Sequence, residues 1–120
     1  MARSFAERAV AALTPLGPVR ARAMFGGHGI YLDDLMFALT FDERLWLKVD
    51  GHNRDRFLDA GGEAFTYRRG PGKVVTMSYV AVPDDVWADP RRLVDWANDA
   101  LAAAKRNQAF KQSRKRRHDL

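Results

Sequence analysis

In this 120-residue chain, the side chains that could do chemistry are three histidines, scattered serines, two carboxylate pairs and a basic run near the end. Cysteine is absent, which removes disulfides, thiolate metal sites and cysteine nucleophiles. His28 stands among Gly26, Gly27 and Gly29, and an imidazole with an ordinary pKa near ~6.5 suits proton transfer or ligation. A glycine-rich segment cradles phosphate when a strand precedes it, a helix follows it and a Lys-Ser/Thr pair closes it. Here Ile30-Tyr31-Leu32 follows with strand character, and no Lys-Ser/Thr pair is present. The segment therefore reads as a tight turn or bulge, with His28 as a turn histidine. His52 follows Gly51 at a helix start, and His118 lies in the basic end. Zinc needs three or four converging ligands. No His-x-His or Glu-x-x-His pair exists, so neither a metal nor a cofactor is expected. Ser78 sits mid-strand between Met77 and Tyr79 without a nucleophile elbow. Asp33-Asp34 and Asp84-Asp85 fit a turn and a helix start, where carboxylates bond backbone N–H groups and offset the helix dipole. No catalytic residue emerges, and the chain is not expected to be an enzyme.

The charge layout is uneven. Residues 1–104 carry 13 basic and 14 acidic side chains, whereas residues 105–120 carry 7 basic and 1 acidic. The net +5 of the chain therefore comes from its last residues. Lys111, Arg114, Lys115, Arg116 and Arg117 could neutralise phosphates, with a strong salt dependence. No aromatic interleaves with Arg114 to Arg117, which argues against sequence readout. A solubilising terminus is the other reading of the same residues. The residues after Met1 lack the apolar run of a signal peptide, and charges interrupt every apolar stretch. The expectation is a cytoplasmic protein without a membrane segment.

The elements that would position these groups can be read from periodicity. Ser4 and Glu7 form a capping box ahead of a helix over 4–14, with Phe5, Ala9, Val10 and Leu13 at helical spacing. Pro15, Gly17 and Pro18 stop it. Residues 20–49 read as three strands. The first covers 20–25 and resumes at 30–32 after the glycines. The second carries Leu35, Phe37, Leu39 and Phe41 at period two, and the third carries Leu45, Leu47 and Val49. Asp50 reads as the N-cap of a helix over 51–60, ended by Gly61-Gly62. A hairpin follows, with strands over 65–69 and 73–82 joined by Gly70-Pro71-Gly72. A short helical turn runs through Trp87. Asp89 and Pro90 then open a last helix, whose apolar stripe is Leu93, Ala97, Ala100, Leu101 and Ala104. Short turns demand antiparallel pairing. The expectation is an α+β two-layer domain, an antiparallel sheet with helices on one face, in the order α-β(3)-α-β(2)-α. The domain is placed at 4–106, with 107–120 as a basic, disordered tail.

The run Arg22-Ala23-Met24-Phe25-Gly26-Gly27-His28-Gly29-Ile30-Tyr31-Leu32-Asp33 resembles the signature of the TfoX/Sxy N-terminal domain family. Met24, Phe25, Gly26, Gly27, Gly29 and Tyr31 carry the motif, and His28 stands where the family usually has tyrosine. Matching segments follow at Leu35–Leu39, Leu45–Asp50, Phe65–Tyr67, Met77–Tyr79 and Trp96-Ala97, so the resemblance spans roughly 5–105. It implies a secretion-chaperone-like fold and a regulatory role in competence, exercised with the transcription machinery. It implies no catalytic residues.

Two functional expectations follow. Trp46 falls on the strand face opposite Leu45 and Leu47. If no helix covers that face, Trp46 and Lys48 mark a partner surface for a regulatory protein or for a second copy in a homodimer. The alternative is a nucleic-acid-associated protein acting through its basic end. Tyr31, Phe37, Phe41, Trp46, Phe65, Tyr67 and Tyr79 all lie on strands, where core and cross-strand packing accounts for most of them.

Overall fold

The computed structural model describes residues 4–24 and 26–118, with side chains for all of these except Tyr67 and 114–118. Helix α1 (Phe5–Leu13) begins where the Ser4 hydroxyl accepts a hydrogen bond from the Glu7 N–H at 3.2 Å. A 3₁₀ turn over Thr14–Leu16 ends it. Four strands follow: β1 (Arg20–Met24), β2 (Gly27–Leu32), β3 (Leu35–Phe41) and β4 (Arg44–Lys48). Then come α2 (Arg54–Asp59), β5 (Glu63–Gly70), β6 (Lys73–Ala81), α3 (Asp84–Trp87) and α4 (Pro90–His118).

The six strands form one antiparallel sheet in the order β1-β2-β3-β4-β6-β5. Its helix side holds the main core. Ile30, Phe37, Leu45, Leu47 and Val80 from the strands meet Leu13, Phe57, Val86 and Leu93 from the helices, all nearly or fully inaccessible. The expected stripe of α4 is buried throughout, and the Phe57 and Trp96 rings stack at 4.3 Å. Asp89 caps α4 as expected, its Oδ1 accepting from the N–H groups of Arg91 and Arg92.

The structure departs from the sequence-based expectation in three places. The first expected strand is two strands. Met24 pairs with Gly27, so β1 and β2 form a tight hairpin, and Gly26 has the positive φ of 80° that glycine accepts in such a turn. α2 starts at Arg54 rather than after Asp50. The Asp50 carboxylate instead accepts from the His52 N–H, and the Asn53 amide oxygen accepts from the Asp50 N–H. α4 runs on to His118, where the sequence suggests a disordered tail from 107. Residues 105–118 contain no glycine or proline and are rich in Lys and Arg, good helix formers whose cations also complement the helix C-terminus. Among the described residues no helix is long and apolar enough to cross a membrane.

Candidate interaction face

Cross-strand pairing fixes what the helix-free side of the sheet presents. Arg22, Gly29, Leu39, Trp46, Ala81 and Glu63 are register partners in turn, one from each strand, and so share that face. A β-bulge between Ile30 and Tyr31 re-aims β3, so Phe37 joins the main core while Met36 stays on the helix-free side.

A second, smaller apolar cluster sits there. Trp46, Tyr79 and Ala81 are buried, and Met36, Leu39 and Phe65 pack around them. Trp46 is only 7% exposed. Its ring meets Phe65 edge-on at 4.6 Å, and its N–H donates to the Phe41 carbonyl at 3.2 Å. Trp46 is thus a core residue of this face rather than an exposed anchor. The side chains that reach solvent are its neighbours, Phe41 at 42% and Met77 at 38%. Between them lies a mainly apolar pocket of about 180 Å³, lined also by Met24, Gly27, His28, Leu39, Thr40 and Phe65. Cations stand over the rings of this face: Arg44 over Trp46 at 5.0 Å, Lys48 over Tyr79 at 5.2 Å and Arg22 over Tyr31 at 5.6 Å.

The glycine motif builds this surface. A Cβ on Gly29 would lie 2.7 Å from the Met36 sulfur and 2.9 Å from that of Met24, so its absence lets both thioethers close over the strand. A Cβ on Gly27 would lie 2.0 Å from the Thr40 carbonyl oxygen, so β2 sits against β3 at a distance only glycine allows. Tyr31 is half-buried beneath Arg22. Phe25 lies outside the described residues.

The groups with chemical potential are dispersed. His28 pairs with Thr40 and Ala23 and is half-buried on the helix side, beside Ser4, Glu7 and Val10 of the α1 region. It makes no ion pair or side-chain hydrogen bond among the described residues. His52 is exposed, and the His118 side chain lies outside the described residues. No group of three or more His, Asp or Glu side chains converges as a metal site among the described residues. Ser78 is exposed, and its carbonyl accepts from the Val49 N–H. Asp33 and Asp34 occupy a turn at φ 52° and 63°, and Asp34 pairs with Arg20. Asp85, in the first turn of α3, is held below the usual carboxylate range by the hydrogen bond from Arg92.

Two ionisable clusters border the face. Arg106 of α4 donates twice to Asp50, at 2.6 and 3.0 Å, and this pairing brings the Asp50 pKa down to about 2 despite partial burial. Lys48 is half-buried; burial foremost, and then the nearby Lys111, hold its pKa below the ordinary lysine value, with Asp50 acting in the opposite sense. Burial raises the Tyr79 hydroxyl to about 12. Lys111 is exposed, and the side chains of Arg114, Lys115, Arg116 and Arg117 lie outside the described residues. Sequence reasoning singled out Trp46 and Lys48 but missed Met77 as a rim residue. Its only signal was period two counted back from Tyr79, which puts both on one face.

The family model "TfoX N-terminal domain" matches residues 11–104. Protein Sxy of Escherichia coli (strain K12) is 28% identical over 108 residues, covering 90% of this chain and 51% of the relative. DNA transformation protein TfoX1 of Aliivibrio fischeri (strain ATCC 700601 / ES114) is 30% identical over 102 residues, covering 85% of this chain and 48% of the relative. The chain therefore spans about half the length of these curated relatives. With the family model aligned over most of its length, the chain belongs to the TfoX N-terminal domain family.

Proposed function

We propose that this domain is a non-catalytic regulatory module that acts by receiving a partner protein on the helix-free face of its sheet. The observation that carries the reading is the apolar pocket between the exposed Phe41 and Met77, on a face where Arg22 and Arg44 stand over aromatic rings. Two large apolar side chains left in solvent at the mouth of an apolar recess are the ordinary signature of an interaction site. The scatter of titratable groups, together with a relative named for DNA transformation, supports regulation of that process through a protein contact in the cytoplasm.

The test is the transcript profile of cells producing the chain, compared with cells producing Phe41→Lys/Met77→Lys. Both positions are partly exposed, so the variant should fold. The reading expects defined transcript changes with the parent and their loss with the variant. No change with the parent removes the regulatory role, and unchanged effects of a folded variant remove the face. Sedimentation of the isolated chain separates a homodimer from a contact with a different protein.

A second reading, nucleic-acid association through the basic end, draws support from the continuation of α4. The helix places Lys105, Lys111 and residues 114–117 on one element rather than on a loose tail. Deleting 109–120 and titrating DNA at two salt concentrations decides it. Unchanged affinity, or an unchanged salt slope, excludes this role.

A further inference from the structure

The last turns of α4 pass beside the end of the sheet and bring Lys111 close to Lys48, far away in sequence. Both line a pocket of about 340 Å³ with Tyr31, Tyr79, Asn107 and Gln108. Asp34 reaches the same rim but is paired with Arg20.

Of the arginines around this pocket, Arg22 stands over the Tyr31 ring, and Arg20 and Arg106 each meet a carboxylate. Lys48 and Lys111 meet none among the described residues, and Asp50, the carboxylate nearest Lys48 in sequence, is engaged twice by Arg106. Two ammonium groups that oppose each other's charge across one cavity, one of them half-buried, are a cost that an anion between them would remove. The other walls suit the rest of such a ligand. The Tyr79 hydroxyl stays protonated and can donate, and the amides of Asn107 and Gln108 supply further donors. The rings of Tyr31 and Tyr79, over which Arg22 and Lys48 stand, line the same cavity and suit a flat body beside those cations.

We infer that this pocket binds a small organic anion, a phosphate or carboxylate group on a flat apolar body, with Lys48 and Lys111 clasping the anionic group. One lysine comes from β4 and the other from α4. Occupancy would therefore tie the distal turns of α4 to the sheet.

The test is a titration of the full chain, followed by amide chemical shifts, with phenyl phosphate, benzoate, inorganic phosphate and benzyl alcohol as probes. Saturable shifts centred on Lys48, Tyr79, Asn107 and Lys111 are expected with phenyl phosphate or benzoate. The relative affinities of these two tell a phosphate site from a carboxylate site, inorganic phosphate should bind more weakly at the same residues, and benzyl alcohol should not bind. Lys111→Gln lies on an exposed position and keeps the fold; it should weaken binding roughly tenfold, the scale of one charge-assisted hydrogen bond. Lys48→Met/Lys111→Met should abolish binding while leaving Tm unchanged or higher, because mutual repulsion is gone. Hydrogen exchange over 105–113 should slow when phenyl phosphate is bound. No saturable shift with either aromatic anion, shifts centred elsewhere, or Lys111→Gln binding like the parent would overturn the inference. The readout needs no protein partner, so its outcome is separate from that of the sheet-face reading.

Discussion

Replacing Gly27 with alanine tests whether the glycine motif is architectural. An added Cβ would sit 2.0 Å from the Thr40 carbonyl oxygen, about 1 Å inside the closest approach that real Cβ atoms make. The obstacle is backbone of the neighbouring strand, so no side chain can swing aside. Strand β2 must lift from β3, which strains the ladder beneath the apolar pocket. Overpacking of this kind costs about 3 kcal/mol or more, a large share of the ~5–15 kcal/mol that holds a domain together. Two controls separate crowding from conformation. Gly26 has open space around it but a φ of 80°, so Gly26→Ala should cost only ~1 kcal/mol. Gly51 has open space and no positive φ, so Gly51→Ala should be neutral or stabilise by up to ~1 kcal/mol. Urea unfolding followed by tryptophan fluorescence gives all three values on one scale, with Tm of Gly27→Ala falling by ~10 °C or more. If Gly27→Ala costs no more than Gly26→Ala, the tight β2–β3 approach is not what the motif provides.

Other consequences are equally direct. Trp46→Ala should destabilise by about 3–5 kcal/mol in the same urea assay, because it empties the second cluster and removes the bond to the Phe41 carbonyl; a loss below ~1 kcal/mol would mean the cluster is not a core. Asp42 and Glu43 both hold φ 56° in the β3–β4 turn, so Glu43→Gly should raise stability by ~0.5–1 kcal/mol, and a lower Tm would contradict this. Asp50 has its folded pKa at about 2, below the ordinary 3.8, so its pairing with Arg106 stabilises fully above about pH 4 and is lost as pH falls towards 2. Solvent screening limits the contribution to ~1 kcal/mol. Urea midpoints of the parent and Asp50→Asn should therefore differ at pH 7, close progressively below about pH 4 and converge only below about pH 2; a gap that does not narrow between pH 4 and pH 2 would deny the ion pair its role.

Much of this was legible because the deciding interactions are local. The Ser4 cap, the Asp89 cap and the alanine stripe of α4 each depend on residues within a few turns of one another. The two strand pairs around Asp33-Asp34 and Asp42-Glu43 announce themselves by alternation and by turn chemistry. The β1–β2 hairpin was hidden because the strand Arg20–Met24 alternates arginine with alanine, a weak apolar signal, and its turn is embedded in a run of glycines. The burial of Trp46 depends on Phe65 and Met36 from other strands, which period two cannot foresee. The length of α4 was missed because a basic run reads equally well as a solvated helix or as a tail. Lys48 and Lys111 come together only through the path of α4 across the end of the sheet, which no local spacing encodes.

A photo-reactive amino acid placed at Met77, compared with one at Arg91 on the exposed side of α4, tests the central claim in cells producing the chain. The account predicts one discrete cross-linked protein from position 77 and none from 91, with the product lost when Phe41→Lys is added. Cross-links from 91 alone, or equal ones from both positions, would place the functional surface on the helices and contradict it.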